Sequence, residues 1–307
     1  MDYYEWAKQH INQLYEQIQP IKNDNLKTSP GNIWSVKKLL FLDYYIGSFV
    51  KIIRSPKFNF KNWYYVDPFC GSGLITFEKE LKGEKFPGSP MIAALRAAQF
   101  PFSDYFLSDI DKESIEALKS RLISNKANTG NRSYAPRIAS FESVVTQIET
   151  LKQWGNAFLI FIDPTGYKET RWDLMEKLFE IQTADIIFTF MTYSIALNRS
   201  KADSNEETAN SLDEFFGDNR WVNCQTGDEL LVEYIKRIES KGKKTFVIPV
   251  NMKGESKLYD LIFATRSTGG SNVAASASKI MDAVSTELIR SSFQVVTKKR
   301  TEITDFF

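Results

Sequence analysis

Cysteine and histidine are nearly missing from this chain of 307 residues, which has two cysteines, Cys70 and Cys224, and one histidine, His10. Two cysteines make no disulfide framework, and one histidine excludes a His-rich metal centre, so no metal is expected. A surplus of charge is missing too. Lysine and arginine number 39 against 38 aspartates and glutamates, a net +1, so there is no global signature of a polyanion partner and any basic surface must be local. No stretch approaches the about 20 apolar residues of a membrane helix, and the N-terminus MDYYEWAKQHINQL lacks an apolar signal core. A cytoplasmic protein in a reducing compartment, with no membrane partner, is the expectation.

Ordinary core-building material is present, with 43% hydrophobic and 25% charged residues. Aromatic residues reach 14% and fall mainly in periodic segments, where core packing explains most of them. IWSVKKLLFLDYYIGSFVKII, with Leu39, Leu42, Tyr45, Ile46 and Phe49 at helical spacing, predicts a long amphipathic helix. From Trp63 onward short apolar runs alternate with helical patterns. NWYYVD, DYFLSD, a weak PRIAS, AFLIFID and DIIFTFM read as strands, with GLITFEKEL, PMIAALRAAQ, KESIEALKSRLIS, FESVVTQIETLKQW and RWDLMEKLFEI as helices. Five strands separated by helices predict an open, parallel α/β sheet covered on both faces. TFVIPV and LYDLIFAT, joined by NMKGESK, predict a terminal antiparallel hairpin. Residues from about 194 to 241 hold more helix than one crossover needs and are the expected substrate-facing insertion. The expected organisation is an N-terminal helical segment over 1–60, packing on an α/β domain over 61–307.

The first predicted strand runs into Asp67-Pro-Phe-Cys-Gly-Ser-Gly73. A strand ending in such a turn and feeding a helix places backbone N–H groups at the C-terminal sheet edge, where open α/β folds bind ligands. Small residues also occur where a helix packs closely on a strand, so GSG alone does not decide. The Gly-Lys-Ser/Thr of a phosphate loop is absent, and Ile75 and Thr76 stand near where a dinucleotide fold places its third glycine. Asp67 precedes the glycines, and a carboxylate there suits a ligand carrying positive charge. Asp109, at the tip of the second strand, is placed to accept from both hydroxyls of a ribose. Asp111 suits better than Asp109 the N-cap of the following helix, with Ser114 three residues on. A ribose, a positive charge and no pyrophosphate together describe S-adenosyl-L-methionine. Cys70, beside the glycines, suits a small buried position.

VDPFCGSG resembles motif I of class I methyltransferases, especially the amino-methylating branch. FPGSPMIAAL and FLIFIDPTGYK are similar to blocks of large-subunit ribosomal RNA adenine-N6 methyltransferases, which carry a PGSP element and a DPPY tetrapeptide. The order of VDPFCGSG, PGSP, DIDKESIEAL, IDPTGYKETRWDLM and DEFFGDNRW over roughly residues 31–270 most resembles the three-Cys-motif partner family, named for a genomic neighbour that is radical-SAM-like. The resemblance implies a Rossmann-like class I methyltransferase sheet and S-adenosyl-L-methionine as cofactor. It also implies nucleic acid, DNA or RNA, as the preferred substrate, and raises a three-Cys-motif protein as a partner. It places Asp67, Phe69, Gly71, Gly73, Ser89 and Asp109 at the cofactor. Of Lys37 and Lys38 on the long helix, one is read as reaching the cofactor carboxylate, with Lys38 the candidate and a solvated helical lysine the other reading. Ser140 and Phe141 stand where related enzymes carry an acid near the adenine, Ser140 to accept a hydrogen bond and Phe141 to stack. Ser89 is also expected to cap its helix, with Pro90 at the first helical position.

Methyl transfer is expected at Asp163, Pro164, Thr165 and Tyr167. In the tetrapeptide families the acid and a backbone carbonyl accept from the target amine, and the aromatic stacks on an extruded base. Here Thr165 replaces the second proline, Gly166 the aromatic, and Tyr167 comes one place late. Phe190 and Tyr193 are the alternative platforms. The clusters Lys241, Lys243, Lys244 and Lys298, Lys299, Arg300 are phosphate contacts or solvated ends. Two other readings stay open: a methyltransferase-fold binding or regulatory subunit, and methylation of a protein or small molecule.

Overall fold

The computed structural model describes residues 2–125, 135–251 and 257–294. Helix α1 (Tyr3–Gln17) starts at the capping carboxylate of Asp2, and the short strand β1 (Ser29–Pro30) and helix α2 (Ser35–Ile53) follow. Then come β2 (Asn62–Asp67), β3 (Leu74–Phe77), β4 (Glu84–Pro87), α3 (Ser89–Arg96), β5 (Asp104–Asp109) and α4 (Lys112–Ser124). Next are β6 (Arg137–Ile138), α5 (Phe141–Leu151), β7 (Asn156–Ile162), α6 (Trp172–Glu180) and β8 (Ala184–Phe190). The insertion is α7 (Thr192–Ala202), α8 (Glu206–Phe216) and α9 (Gly227–Ser240), before β9 (Lys244–Asn251), β10 (Lys257–Thr265) and α10 (Thr268–Ala283).

The large sheet has the order β6-β5-β2-β7-β8-β10-β9. The first five strands are parallel and β10 runs antiparallel to both β8 and β9, so the predicted mixed α/β sheet with its hairpin is present. Residues 252–256 of the connecting loop lie outside the described residues. The chain builds outward from β2 to β5 and β6, then returns to β7 on the other side, so a topological switch point lies between β2 and β7. Alternation along the strands divides the core. Tyr65, Leu159 and Phe161 face α1, α2, α3, α4 and α10, while Val66, Phe158, Ile160 and Ile162 face α5 to α9. Among the described residues no helix is long and apolar enough to cross a membrane.

Three local readings are corrected. GLITFEKEL is not a helix. Leu74–Phe77 is a strand, paired in parallel with β1 and antiparallel with β4 in a separate three-stranded sheet. The β-branched Ile75 and Thr76 and the aromatic Phe77 fit a pleated surface, and two strands were within reach to pair with them. The insertion, read as more helix than one crossover needs, holds three α-helices, and its first begins at Thr192, ahead of the expected start near 194. Ser89 is the first residue of α3, and the cap position belongs to Gly88.

The N-terminal helices are tied to the core by a buried charge cluster. Asp43 on α2 has no exposed side-chain surface; Arg96 Nη2 on α3 donates to its Oδ2 at 2.7 Å, and His10 Nδ1 on α1 lies 2.7 Å from the same oxygen. Burial alone would raise the pKa of Asp43, but hydrogen bonds from His10 and Arg96 hold it below the ordinary value. Replacing Arg96 with Met is expected to cost about 3–5 kcal/mol, since breaking such a pair leaves a buried charge uncompensated. The pair stabilises only while Asp43 is ionised, so the deficit, read from urea unfolding midpoints, is present at neutral pH. It shrinks as pH falls below about 4, the unfolded carboxyl's range.

Candidate functional site: a cleft at the carboxyl ends of the parallel strands

Beyond Asp67 the chain turns back through Pro68–Gly73. Gly71 and Gly73 adopt φ values of +58° and +87°, a region that side chains disfavour. The turn is held from two sides. Gly71 N donates to Asp109 Oδ2 at 3.0 Å, and Gly88 N donates to Gly73 O at 2.8 Å. A Cβ on Gly73 would sit 2.8 Å from Leu118 Cδ1 and 3.1 Å from Met91 Cγ, so no side chain fits there. Because the turn leads into β3, no helix dipole follows it directly; α3 begins sixteen residues later, at Ser89.

Over the ends of β2, β5, β7 and β8 lies a cleft of ≈ 740 Å³, at the switch point of the sheet. Phe69, Gly71, Gly73, Ser89, Asp109 and Phe141, the residues expected at a cofactor, all line it. The rings of Phe69 and Phe141 are 5.4 Å apart. Asp109 Oδ1 accepts from Asp111 N at 2.9 Å, and each of its oxygens retains a second lone pair for a ligand. Asp111 caps α4 and accepts from Ser114 Oγ at 2.6 Å, as read from the spacing.

Two cofactor candidates are displaced. Asp67 is fully buried beneath the cleft and does not line it, with Tyr65 Oη donating to its Oδ2 at 3.1 Å. Burial pushes its pKa up to about 7, against the Ser89 and Tyr65 hydroxyls, which favour the charged form. It is no counter-charge for a ligand, because the strand end turns its side chain inward. Ser140 is exposed and outside the cleft; its Oγ accepts from Ser143 N at 3.2 Å as the N-cap of α5.

The outer wall is Lys27–Asn32, which sequence reading missed. Arg121 on α4 holds it. This side chain, with no exposed surface, donates through Nε to Asp24 Oδ2 at 2.7 Å and through Nη1 to the carbonyls of Lys27 and Ser72, each at 2.7 Å. The signal was an arginine on the apolar stripe of α4, three residues after Leu118 and beside Leu122. Lys27 Nζ adds an ion pair to Asp111 at 2.5 Å.

At the other end, β7 delivers Asp163, Pro164 and Thr165 into the cleft. Lys38 lines it too, but in place of an open position for a cofactor carboxylate it makes an ion pair, Nζ to Asp163 Oδ1 at 2.6 Å, with its charge 5.3 Å from the Tyr259 ring centre. Tyr167 is no platform: it is 4% exposed, its hydroxyl lies 2.7 Å from Ser211 Oγ, and its ring packs edge-on against Phe215. The one-residue delay turns the ring into the core between the sheet and α8. Phe190 is fully buried, whereas Tyr193, 47% exposed, lines the cleft. Of the basic clusters, Lys241 pairs with Glu176 and Glu180, and Lys243 is buried with Nζ donating to the carbonyls of Ile181 and Ala184, so neither is free for phosphate. Lys298, Lys299 and Arg300 lie outside the described residues.

No family model and no curated protein matches the chain. Among solved structures it is similar to a Legionella pneumophila protein of the DUF519 family model, with a TM-score of 0.48 and 12% identity over 81% of this chain and 92% of that one. Precorrin-6y C5,15-methyltransferase of Geobacter metallireducens gives a TM-score of 0.40 and 11% identity over 81% and 98% of the two chains. Trm1 of Pyrococcus horikoshii in complex with S-adenosyl-L-methionine gives 0.37 and 12% over 77% and 58%. Likenesses this distant say nothing of chemistry, which rests on the cleft.

Asp67 offers a pH test of this geometry. A carboxyl raised from 3.8 to about 7 favours the protonated folded state. Stability is therefore expected to fall as pH rises from about 4 to about 7, by ~4 kcal/mol, and to level off above. Asp67→Asn should flatten that slope in thermal melts recorded across the same range.

Proposed function

We propose that the chain transfers a methyl group from S-adenosyl-L-methionine to a nitrogen of a nucleic-acid base. The observation that carries this reading is one continuous cleft with Gly71, Gly73 and Asp109 at one end and Asp163, Pro164 and Tyr193 at the other. Its volume falls within the about 300–1,000 Å³ of small-molecule sites. The residues present fit the cofactor. The two glycines take the positive φ values that the turn bordering the cleft needs, Asp109 keeps lone pairs for a ribose, and Phe69 and Phe141 present rings for the adenine. When bound, the cofactor supplies an electrophilic methyl and leaves as a neutral thioether.

The chain's own groups do the rest by placement. Asp163 and the Pro164 carbonyl accept from the acceptor amine and aim its nitrogen lone pair, and the Lys38 ion pair fixes the Asp163 carboxylate in place. Tyr193, half exposed on the first turn of α7, provides the stacking face that Tyr167 does not. Pro68 to Leu74 and the Lys27–Asn32 wall limit water access to the cofactor end.

The Lys38–Asp163 contact also favours a second reading, a subunit of methyltransferase fold that binds the cofactor without transferring its methyl. Incubation of DNA, RNA and protein fractions with a radiolabelled methyl donor separates the two, with label expected in nucleic acid. Asp163→Ala should lower transfer by about 10²-fold or more while calorimetry shows cofactor affinity nearly unchanged. Asp109→Ala should weaken cofactor binding by about 10-fold or more, the loss of hydrogen bonds to a charged group. Cofactor binding without label in any fraction supports the second reading; label in protein alone moves the acceptor class.

A further inference from the structure

Building on the methyl-transfer reading above, we propose that Glu169 takes the proton released by the acceptor nitrogen, with Thr165 holding its carboxylate in place. The reacting end of the cleft holds two carboxylates, Asp163 and Glu169. Asp163 is already committed: Lys38 Nζ lies 2.6 Å from its Oδ1, and the Lys38 side chain is only 10% exposed. A proton on Asp163 would leave that ammonium without its partner in a poorly solvated place. Glu169 makes no ion pair among the described residues; the Thr165 hydroxyl donates to its Oε1.

Local geometry brings the two side chains together. A single 3-10 turn, Tyr167–Glu169, closes with Glu169 N donating to Gly166 O at 3.1 Å, so the side chains of residues 165 and 169 meet across it. A Cβ on Gly166 would lie 3.7 Å from Glu169 Oε1, so the carboxylate sits directly against this bare position. The departures from the tetrapeptide therefore act together. Thr165 supplies a hydroxyl where proline has no donor, Gly166 leaves room, and Glu169 fills that room with a base.

The chemistry needs one. As the amine nitrogen bonds to the methyl carbon, the carbon–sulfur bond breaks and its electron pair goes to sulfur. The nitrogen then carries the positive charge, which is removed when one N–H proton passes to a Glu169 oxygen and the N–H bonding pair stays on nitrogen. A correctly placed base of this kind is worth roughly 10²–10⁴-fold in rate.

The test uses the full chain, S-adenosyl-L-methionine and the fraction that accepts label from the wild-type protein. Glu169→Gln is expected to lower kcat by about 10²-fold and abolish the acid limb of the pH–rate profile. Its KM, cofactor affinity by calorimetry and melting temperature should stay close to wild type, and Glu169→Asp should restore part of the rate together with the acid limb. Wild-type kcat with an unchanged acid limb in Glu169→Gln overturns the assignment while leaving the proposed function intact. A wild-type protein that labels nothing overturns the proposed function and this assignment with it. Should Glu169→Gln fail to fold, Thr165→Val decides: a fall in kcat of about 10-fold with a shifted acid limb is expected, and no change in either overturns the role.

Discussion

One buried guanidinium holds the cleft together. Arg121 reaches from α4 to the Asp24 carboxylate, to the carbonyls of Leu26 and Lys27, and to the carbonyl of Ser72 inside the glycine turn. It therefore fixes the outer wall, the turn and the helix behind Asp109 against one another. Its planar fork makes several directed bonds at once, which lysine could not do. Desolvating that charge is tolerable only because the Asp24 carboxylate and three carbonyls meet it. Burial alone would raise the pKa of Asp24, but the bonds from Arg121 hold it below its ordinary value.

The distribution of charge around the cleft follows the same logic. Each cation on its lining is matched to a carboxylate, Lys27 to Asp111 and Lys38 to Asp163. Asp109 is satisfied by backbone N–H groups instead, and Glu169 by a hydroxyl. A ligand entering this space meets two carboxylates whose charge no side-chain cation among the described residues offsets, one at each end, which fits the proposed sulfonium nucleoside at one end and amine at the other.

Much of this was legible in the sequence because it depends on short-range signals. Strand ends followed by Asp or Gly located β2, β5 and β7, and these placed Gly71, Asp109 and Asp163 at one edge. What escaped depends on partners distant in the chain. GLITF reads as helical until Ser29–Pro30 and Glu84–Pro87 pair with it. The Lys38–Asp163 contact joins residues 125 apart, and no periodicity announces it. Tyr167 and Tyr193 were both visible as candidate platforms, but only the packing of α8, through Ser211 and Phe215, decides which ring stays in the core. Asp67 was misread from its place at a strand tip, whereas alternation puts its side chain on the buried face of Tyr65, whose hydroxyl donates to it.

The packing of α2 has a bearing on how the molecule is made. Its Tyr45 ring lies 4.6 Å from that of Phe263 on β10, and Phe41 lies 6.0 Å from the same ring. Part of the apolar face of this early helix is thus covered by a strand that leaves the ribosome some 200 residues later. At about 5–20 residues per second that is a delay of roughly 10–40 seconds. Throughout that interval a nascent chain carries an unburied greasy surface, so loss of the last strand would strand the first helices in an aggregation-prone state rather than merely shorten the protein.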